Sequence, residues 1–184
     1  MQAVVLKNEA LSATVRKLTL GVPDGWTFKA GQFVILAVPQ RPEDAKAPKG
    51  FYSIASSEQR LPELELWVEH RSDGGYVSTW VSALAVGSEV PLEGPMGHFG
   101  LAETESKGQA FLGSRAGLAP LRSMLLSSLA LRTGKHHWLF LGAVGTDDLL
   151  LDAEWRALDA ADEHFHYLPV VRPTKDNPFV GKNV

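Results

Sequence analysis

Apolar positions in the first hundred residues come in short runs. Residues 2–8 and 13–20 form two of them, split by residues 8–12. A stronger run, QFVILAV at 32–38, is bounded by Gly31 and Pro39, the punctuation that brackets a strand. Residues 40–49 concentrate Pro, Lys, Asp and Glu and predict an exposed loop. Residues 51–55 and 64–70 read as further strands. Within 64–68, Leu64, Leu66 and Val68 alternate with Glu65 and Trp67, the period-two signature of a strand with one buried face. Asp73, Gly74 and Gly75 break the chain. A short helix is predicted over 77–84 and one more strand over 89–92. Many short strands without a long helix predict an antiparallel barrel or sandwich.

The pattern changes after the polar linker TESKG at 104–108. Strand-like segments at 109–113, 137–142 and 165–171 alternate with helix-like segments at 120–132 and 147–161. Such alternation predicts βαβ units and a parallel sheet. Pro120 suits the first turn of the first helix and Gly134 its end. Thr146 is the expected N-cap of the second, with Asp147 and Asp148 in its positive first turn. No internal repeat or low-complexity segment interrupts the chain. Three strands make a thin parallel sheet, so the second unit is either minimal or lacks its last portion here.

The 184 residues carry a formal charge of −3, 45% hydrophobic and 21% charged residues, and no cysteine. This is an ordinary globular composition, not a disordered one. The weak charge gives no reason to expect nucleic acid as a partner. Without cysteine there is no disulfide, thiolate metal site or cysteine nucleophile. The N-terminus lacks a basic start followed by an apolar core, and no apolar run reaches the length of a membrane span. The expectation is a cytoplasmic protein.

The segment 112–120, LGSRAGLAP, carries the most chemistry. It lies between a predicted strand and a predicted helix. Glycines there let backbone N–H groups approach a phosphate at the helix's positive end. An ordinary tight βα turn that binds nothing has similar spacing, so the loop alone does not decide. Elsewhere there is no Gly-x-Ser-x-Gly elbow. The pairs His136–His137 and His164-x-His166 invite a metal reading. Adjacent histidines point to opposite faces of a strand, however, and no carboxylate set completes a site, so no metal is expected.

Four segments, in order, resemble the ferredoxin–NADP reductase superfamily. Phe51-Tyr52-Ser53-Ile54-Ala55-Ser56 is similar to its flavin strand, whose pattern is Arg-x-Tyr-Ser. Gly74-Gly75-Tyr76-Val77-Ser78 resembles its Gly-Gly-x-x-Ser turn, and Gly94-Pro95-Met96-Gly97-His98-Phe99 the segment that closes its barrel. Gly113 to Pro120, with Leu121-Arg122-Ser123-Met124, resembles its nicotinamide-nucleotide loop and helix. Gly142, Asp148, Leu149 and Glu154 resemble the next strand–helix unit, and Val170 to Pro173 with Gly181 the one after.

The resemblance implies an N-terminal antiparallel Greek-key flavin-binding barrel at 1–103. A short parallel-sheet α/β domain for the nicotinamide nucleotide follows at 108–184. It implies an FAD-dependent oxidoreductase that takes electrons from NAD(P)H and passes them to an acceptor the sequence does not name, a partner protein or a small molecule. The alternative is a catalytically degenerate flavin- or nucleotide-binding regulatory module. Tyr52 would pack on the flavin ring and Ser53 would sit near its N5, the two catalytic positions. Ile54 and Val68 would adjoin the flavin, and Gly74, Gly75 and Ser78 would hold its pyrophosphate. Gly113, Ser114, Gly117, Leu118, Ala119 and Pro120 would hold the nicotinamide nucleotide. His70 is as well read as a surface residue, and His98 and Phe99 as structural at the domain junction.

Three departures stand out. The family's arginine falls at Gly50, with Lys49 the nearest cation and lacking a guanidinium fork. Arg115 falls where the family has glycine and Ala116 where it often has threonine; the arginine either blocks the nucleotide's pyrophosphate or pairs with it. The family's later Cys-Gly segment and its flavin-covering aromatic do not occur in these residues. Val144 and Val171 replace polar positions near the adenosine ribose, while Arg172 remains.

Overall fold

The computed structural model describes residues 1–70, 75–101 and 106–172. The first unit contains strands β1 (Gln2–Ala10), β2 (Val15–Gly21), β3 (Phe33–Ala37), β4 (Lys49–Ser53), β5 (Glu63–Glu69) and β6 (Glu89–Met96), with helix α1 (Tyr76–Ala83) between β5 and β6. Their order is β4-β3-β6-β1-β2-β5, all pairs antiparallel. Placing β6 between β1 and β3 makes the Greek key. A single bridge between Ile54 and Leu66 joins the two edge strands and closes the barrel.

Alternation selects which side chains fill this barrel. Ala3 and Val5 of β1, Leu18 and Leu20 of β2, Val34 and Leu36 of β3, and Leu64 and Leu66 of β5 are all fully buried in one cluster. Strand β6 runs to Met96, four residues past its predicted end. Helix α1 inserts Val81 into the same cluster. Its C-terminal carbonyls are capped from β1: the Asn8 amide donates to Val81 O at 2.9 Å and Leu84 O at 3.0 Å.

The second unit is a parallel sheet, β7-β8-β9, of β7 (Gly108–Ser114), β8 (His136–Ala143) and β9 (Phe165–Val171). Helices α2 (Leu118–Ala130) and α3 (Asp152–Ala161) follow β7 and β8. Helix α2 ends two residues before the expected point, and Arg132 there takes a positive φ of 48° ahead of Gly134. Helix α3 is shorter than predicted. Thr146–Asp148 forms a separate 3-10 turn, with no side-chain cap from Gly145 or Thr146, and Leu151 turns left-handed at φ 60° before α3 begins. The consecutive Leu149, Leu150 and Leu151 explain the break. A continuous helix would spread them around its circumference, whereas the kink packs all three on the core. The Trp155 indole N–H then closes the turn on Leu150 O at 3.0 Å.

Strand β5 is not half-buried. Leu64, Glu65, Leu66, Trp67 and Val68 are all buried, because α2 covers the face that faced solvent in the sequence reading. Arg122 Nη1 donates to Glu65 Oε2 at 2.9 Å and Ala55 O at 2.8 Å. Ser123 Oγ donates to Ser56 O at 2.6 Å, and Ser127 Oγ to Glu58. Val15, Ala55 and Trp67 of the barrel share one apolar cluster with Phe111, Leu118, Ala119 and Met124. Backbone contact is also close where Gly31 passes under Phe99. A Cβ at Gly31 would lie 2.3 Å from Phe99 O, and φ there is +95°, so only glycine fits.

Candidate flavin and nucleotide site

Beyond the Ile54 bridge the edges of β4 and β5 have no pairing among the described residues, and a cavity of ≈ 990 Å³ occupies the cleft. Its walls come from six places: Lys49 to Tyr52 on β4; Glu69 and His70 at the end of β5; Thr14 just before β2; Gly75 to Ser78 at the start of α1; Arg41 and Pro48 on the connecting loop; and Arg115 and Ala116 from the second unit. The volume is at the upper end of what small-molecule sites enclose.

Helix α1 opens into this cavity with no side-chain cap; Gly75 holds the cap position. The first intrahelical bond is Thr79 N–H to Gly75 O at 3.0 Å. The N–H groups of Tyr76, Val77 and Ser78 precede it, and among the described residues no acceptor is bonded to them, so they are the donors of the helix's positive end. The Ser78 hydroxyl itself donates back to Gly75 O at 2.9 Å. Gly74 lies outside the described residues.

Tyr52 faces the cavity from β4, and burial pushes its phenol up to about 12, so it is neutral at any ordinary pH. Its ring lies across Gly50. A Cβ at Gly50 would stand 2.5 Å from Tyr52 Cε2 and 2.7 Å from the phenol oxygen. The space that a longer side chain at position 50 would enter is filled by this ring. Ser53 is the next residue along, paired with Phe33, and is not part of the cavity wall. The side chains of Ile54 and Val68 sit in the barrel core at 0% and 1% exposure. Neither lines the cavity.

Lys49 does not stand in for the family arginine. It lines the cavity rim with Phe51, but strand alternation sets its side chain on the opposite face from Gly50 and Tyr52, and its ammonium is held by both Glu93 oxygens at 2.8 and 2.9 Å. Arg115 is also diverted. Its backbone takes the left-handed conformation, φ 51°, that a glycine adopts without cost. Its guanidinium turns from the loop to the barrel, with Nε on Glu69 Oε1 at 2.8 Å. The arginine thus neither blocks the nucleotide loop nor occupies it: it bridges the two units.

The nucleotide-loop candidates gather at the carboxyl end of β7, the edge where open parallel sheets bind ligands. Ser114 is exposed and Gly113 half-buried; a Cβ at Gly113 would meet Leu121 Cδ1 at 2.7 Å. Gly117 caps α2 with no side-chain hydrogen bond. Leu118 and Ala119 are buried against the sheet and Pro120 is half-buried, so these three shape the turn. Val144 is exposed at the end of β8, Val171 is buried, and Arg172 donates its N–H to Ala143 O at 2.9 Å. Pro173 and Gly181 lie outside the described residues.

Of the histidines, His137 is buried and bonded to Ser128 Oγ at 2.8 Å, while His136 meets His166 on the other face, nitrogen to nitrogen, at 3.1 Å. Among the described residues no group of three or more His, Asp or Glu side chains is arranged to hold a metal.

Residues 2–100 match the family model for the oxidoreductase FAD-binding domain, and residues 111–183 that for the oxidoreductase NAD-binding domain. The chain belongs to the ferredoxin–NADP reductase superfamily. Over 168 residues it is 33% identical to ferredoxin–NADP reductase B of Sorangium cellulosum, covering 90% of this chain and 67% of that one. It is 29% identical to the reductase subunit of an Amycolatopsis aromatic O-demethylase, over 98% of this chain and 54% of the other. A crystal structure of an Amycolatopsis cytochrome P450 reductase superposes with a TM-score of 0.81 at 27% identity, over 96% of this chain and 54% of that one. The chain thus spans about half to two thirds of these relatives.

The residues present fit the superfamily's flavin. The cleft joins an aromatic strand face at Tyr52 to three free N–H donors at α1, with Arg41 beside them. Sequence reasoning missed Arg41 and Thr14 as wall residues; it left His70, also on the wall, open between the flavin site and the surface. Arg41 sits in a charged, proline-rich loop whose composition signals only exposure. Thr14 carries no local signal at all, since its placement depends on where β2 begins relative to the end of β5, where His70 N–H donates to Thr14 O at 2.7 Å. No helix among the described residues is long and apolar enough to cross a membrane.

Proposed function

We propose that this chain forms the FAD- and NAD(P)H-binding core of an electron-transfer reductase whose acceptor is a separate protein. One observation carries the reading: Arg115 and Ala116 of the nucleotide loop line the same cavity as Tyr52 and the α1 N-terminus. Two cofactors held at adjoining walls of one cleft meet the proximity that direct transfer requires. The relatives described as a ferredoxin–NADP reductase and as a reductase subunit support a protein acceptor.

Hydride transfer from the nicotinamide C4 to the flavin N5 is the chemistry that the bound pair supplies. The chain's residues bind and orient. The barrel unit, 1–103, presents Tyr52 as an aromatic face, while Ser53, off the cavity wall, is assigned its place near the ring by the family motif alone. Gly74, Gly75 and Ser78, with the first N–H groups of α1, hold the flavin's phosphates. The α/β unit, 108–184, offers Gly113, Ser114 and Gly117 to the nicotinamide nucleotide, with Leu118, Ala119 and Pro120 fixing the turn. The buried contacts of Arg122 and Ser123 hold the two units in register. The reading includes a cytoplasmic location.

The test is the visible absorption spectrum of the purified chain after FAD loading and desalting, followed by anaerobic titration with NADH and with NADPH. Retained flavin bands that bleach with either nucleotide support the proposal. No retained flavin refutes it. Retained flavin that neither nucleotide bleaches favours the degenerate binding module instead.

A further inference from the structure

We propose that Arg41 is the pyrophosphate-binding cation of this flavin site, in the role that position 50 cannot fill. The proposal rests on the flavoprotein reading above and assigns its missing charge. A dianionic pyrophosphate buried at a helix N-terminus calls for a cation beside the N–H donors. Gly50 offers none, and the Tyr52 ring covers the space above it. Lys49 reaches the cavity rim, but its ammonium is held by both Glu93 oxygens. Arg115 is committed to Glu69 at the domain junction.

Arg41 is placed and shaped for the role. It lines the cavity together with Gly50, Tyr52 and the free N–H groups of α1. Its guanidinium carbon lies 4.2 Å from the centroid of the Tyr76 ring, the first residue of α1. The Tyr76 hydroxyl in turn donates to Pro39 O at 3.0 Å, so the loop and the helix start are fastened to each other. Glu43 Oε1 lies 3.4 Å from the Arg41 Nε, and Asp44 fixes the plane of the group. Its two oxygens take the side-on pair, Nε at 2.9 Å and Nη2 at 2.6 Å, and Oδ2 also accepts the Arg41 backbone N–H at 3.0 Å.

That arrangement leaves the end-on fork of Nη1 and Nη2 to offer. Among the described residues no acceptor lies against Nη1. An arginine held side-on by a carboxylate and stacked on an aromatic has lost its rotamer freedom before the ligand arrives, which lowers the cost of binding. The hydrogen bond from Arg41 holds the Asp44 carboxyl below its usual range. The pair therefore stays charged and fixed through the neutral region.

The experiment measures FAD and riboflavin binding to the full chain, by quenching of flavin fluorescence, for wild type, Arg41→Ala, Arg41→Lys and Lys49→Ala. Riboflavin has the ring and no phosphate. Arg41→Ala should weaken FAD about 10- to 100-fold, the range of a charge-assisted contact, with riboflavin unchanged. Arg41→Lys should fall between, because charge survives without the fork. Lys49→Ala, at a rim lysine already paired with Glu93, should weaken FAD far less than Arg41→Ala, and an equal or larger loss there would overturn the assignment. The wild-type FAD affinity should also fall with salt more steeply than that of Arg41→Ala. Equal FAD binding by wild type and Arg41→Ala overturns the proposal. Parallel losses of FAD and riboflavin also overturn it, since Arg41 would then be shaping the pocket. A wild type that binds neither flavin defeats the flavoprotein reading itself, a distinct result.

Discussion

Replacing Arg122 with methionine should separate the two units energetically. Arg122 and Glu65 are 9% and 3% exposed and meet at 2.9 Å. The arginine also satisfies Ala55 O. Methionine keeps much of the stem's volume and removes the charge, leaving Glu65 buried with Arg60 as its remaining cation, at 3.1 Å. Breaking a buried pair by removing one partner costs about 3–5 kcal/mol. Because Arg60 retains part of the compensation, the expected loss is near the lower end, about 3 kcal/mol. For a chain of this size that corresponds to a melting temperature lower by roughly 6–12 °C. Urea unfolding of wild type, Arg122→Met, Glu65→Gln and the double variant would isolate the pair. The double variant should lose less than the sum of the singles, with a coupling of about 2 kcal/mol. A single-variant loss below about 1 kcal/mol, or strict additivity, would mean that the contact does not hold the interface.

Three further outcomes follow from local geometry. At Arg115 both Arg115→Gly and Arg115→Ala lose the bridge to Glu69, but only glycine relieves the left-handed backbone; the glycine variant should be the more stable by about 1 kcal/mol in denaturant titration, and the reverse order would refute the positive φ. Burial pushes the His137 imidazole below its ordinary value, so the unfolded chain takes the proton first and stability is lost as pH falls below about 6.5. Relative to His137→Gln, wild type should lose stability between pH 7 and 5.5, and parallel pH curves would show that the ring is not held neutral. Asn8→Ala removes both caps on the C-terminal end of α1 and should cost about 1–2 kcal/mol by thermal melt; no change would mean that the helix is held by its apolar face alone.

The fold was largely readable because its signals are local. Period-two alternation placed the barrel strands, and the switch to strand–helix alternation after residue 104 placed the parallel sheet. The order of four short motifs then pointed to the superfamily. Of the residues proposed for the flavin, Tyr52, Gly75 and Ser78 line the cavity, each within a contiguous motif, whereas Ser53, Ile54 and Val68 do not.

What failed locally was decided by contacts distant in sequence. The alternation in β5 implied a solvated face, but a helix more than fifty residues later covers Glu65 and Trp67. Periodicity reports that a position alternates; it does not report what lies over the other face. The run at 147–151 had helical composition and an apparent cap, and core packing of three leucines broke it. The fates of Lys49 and Arg115 followed from the partners that the fold brought to them, Glu93 and Glu69. Arg41 gained significance in the same way. In sequence it is one charge in a polar loop, and only the fastening of that loop to the first residue of α1 sets it beside the flavin cleft. The sequence by itself determined the elements and their superfamily, because secondary structure and motif order are encoded along the chain. The tertiary structure decided which charges face the site, because an ion pair depends on distance in space.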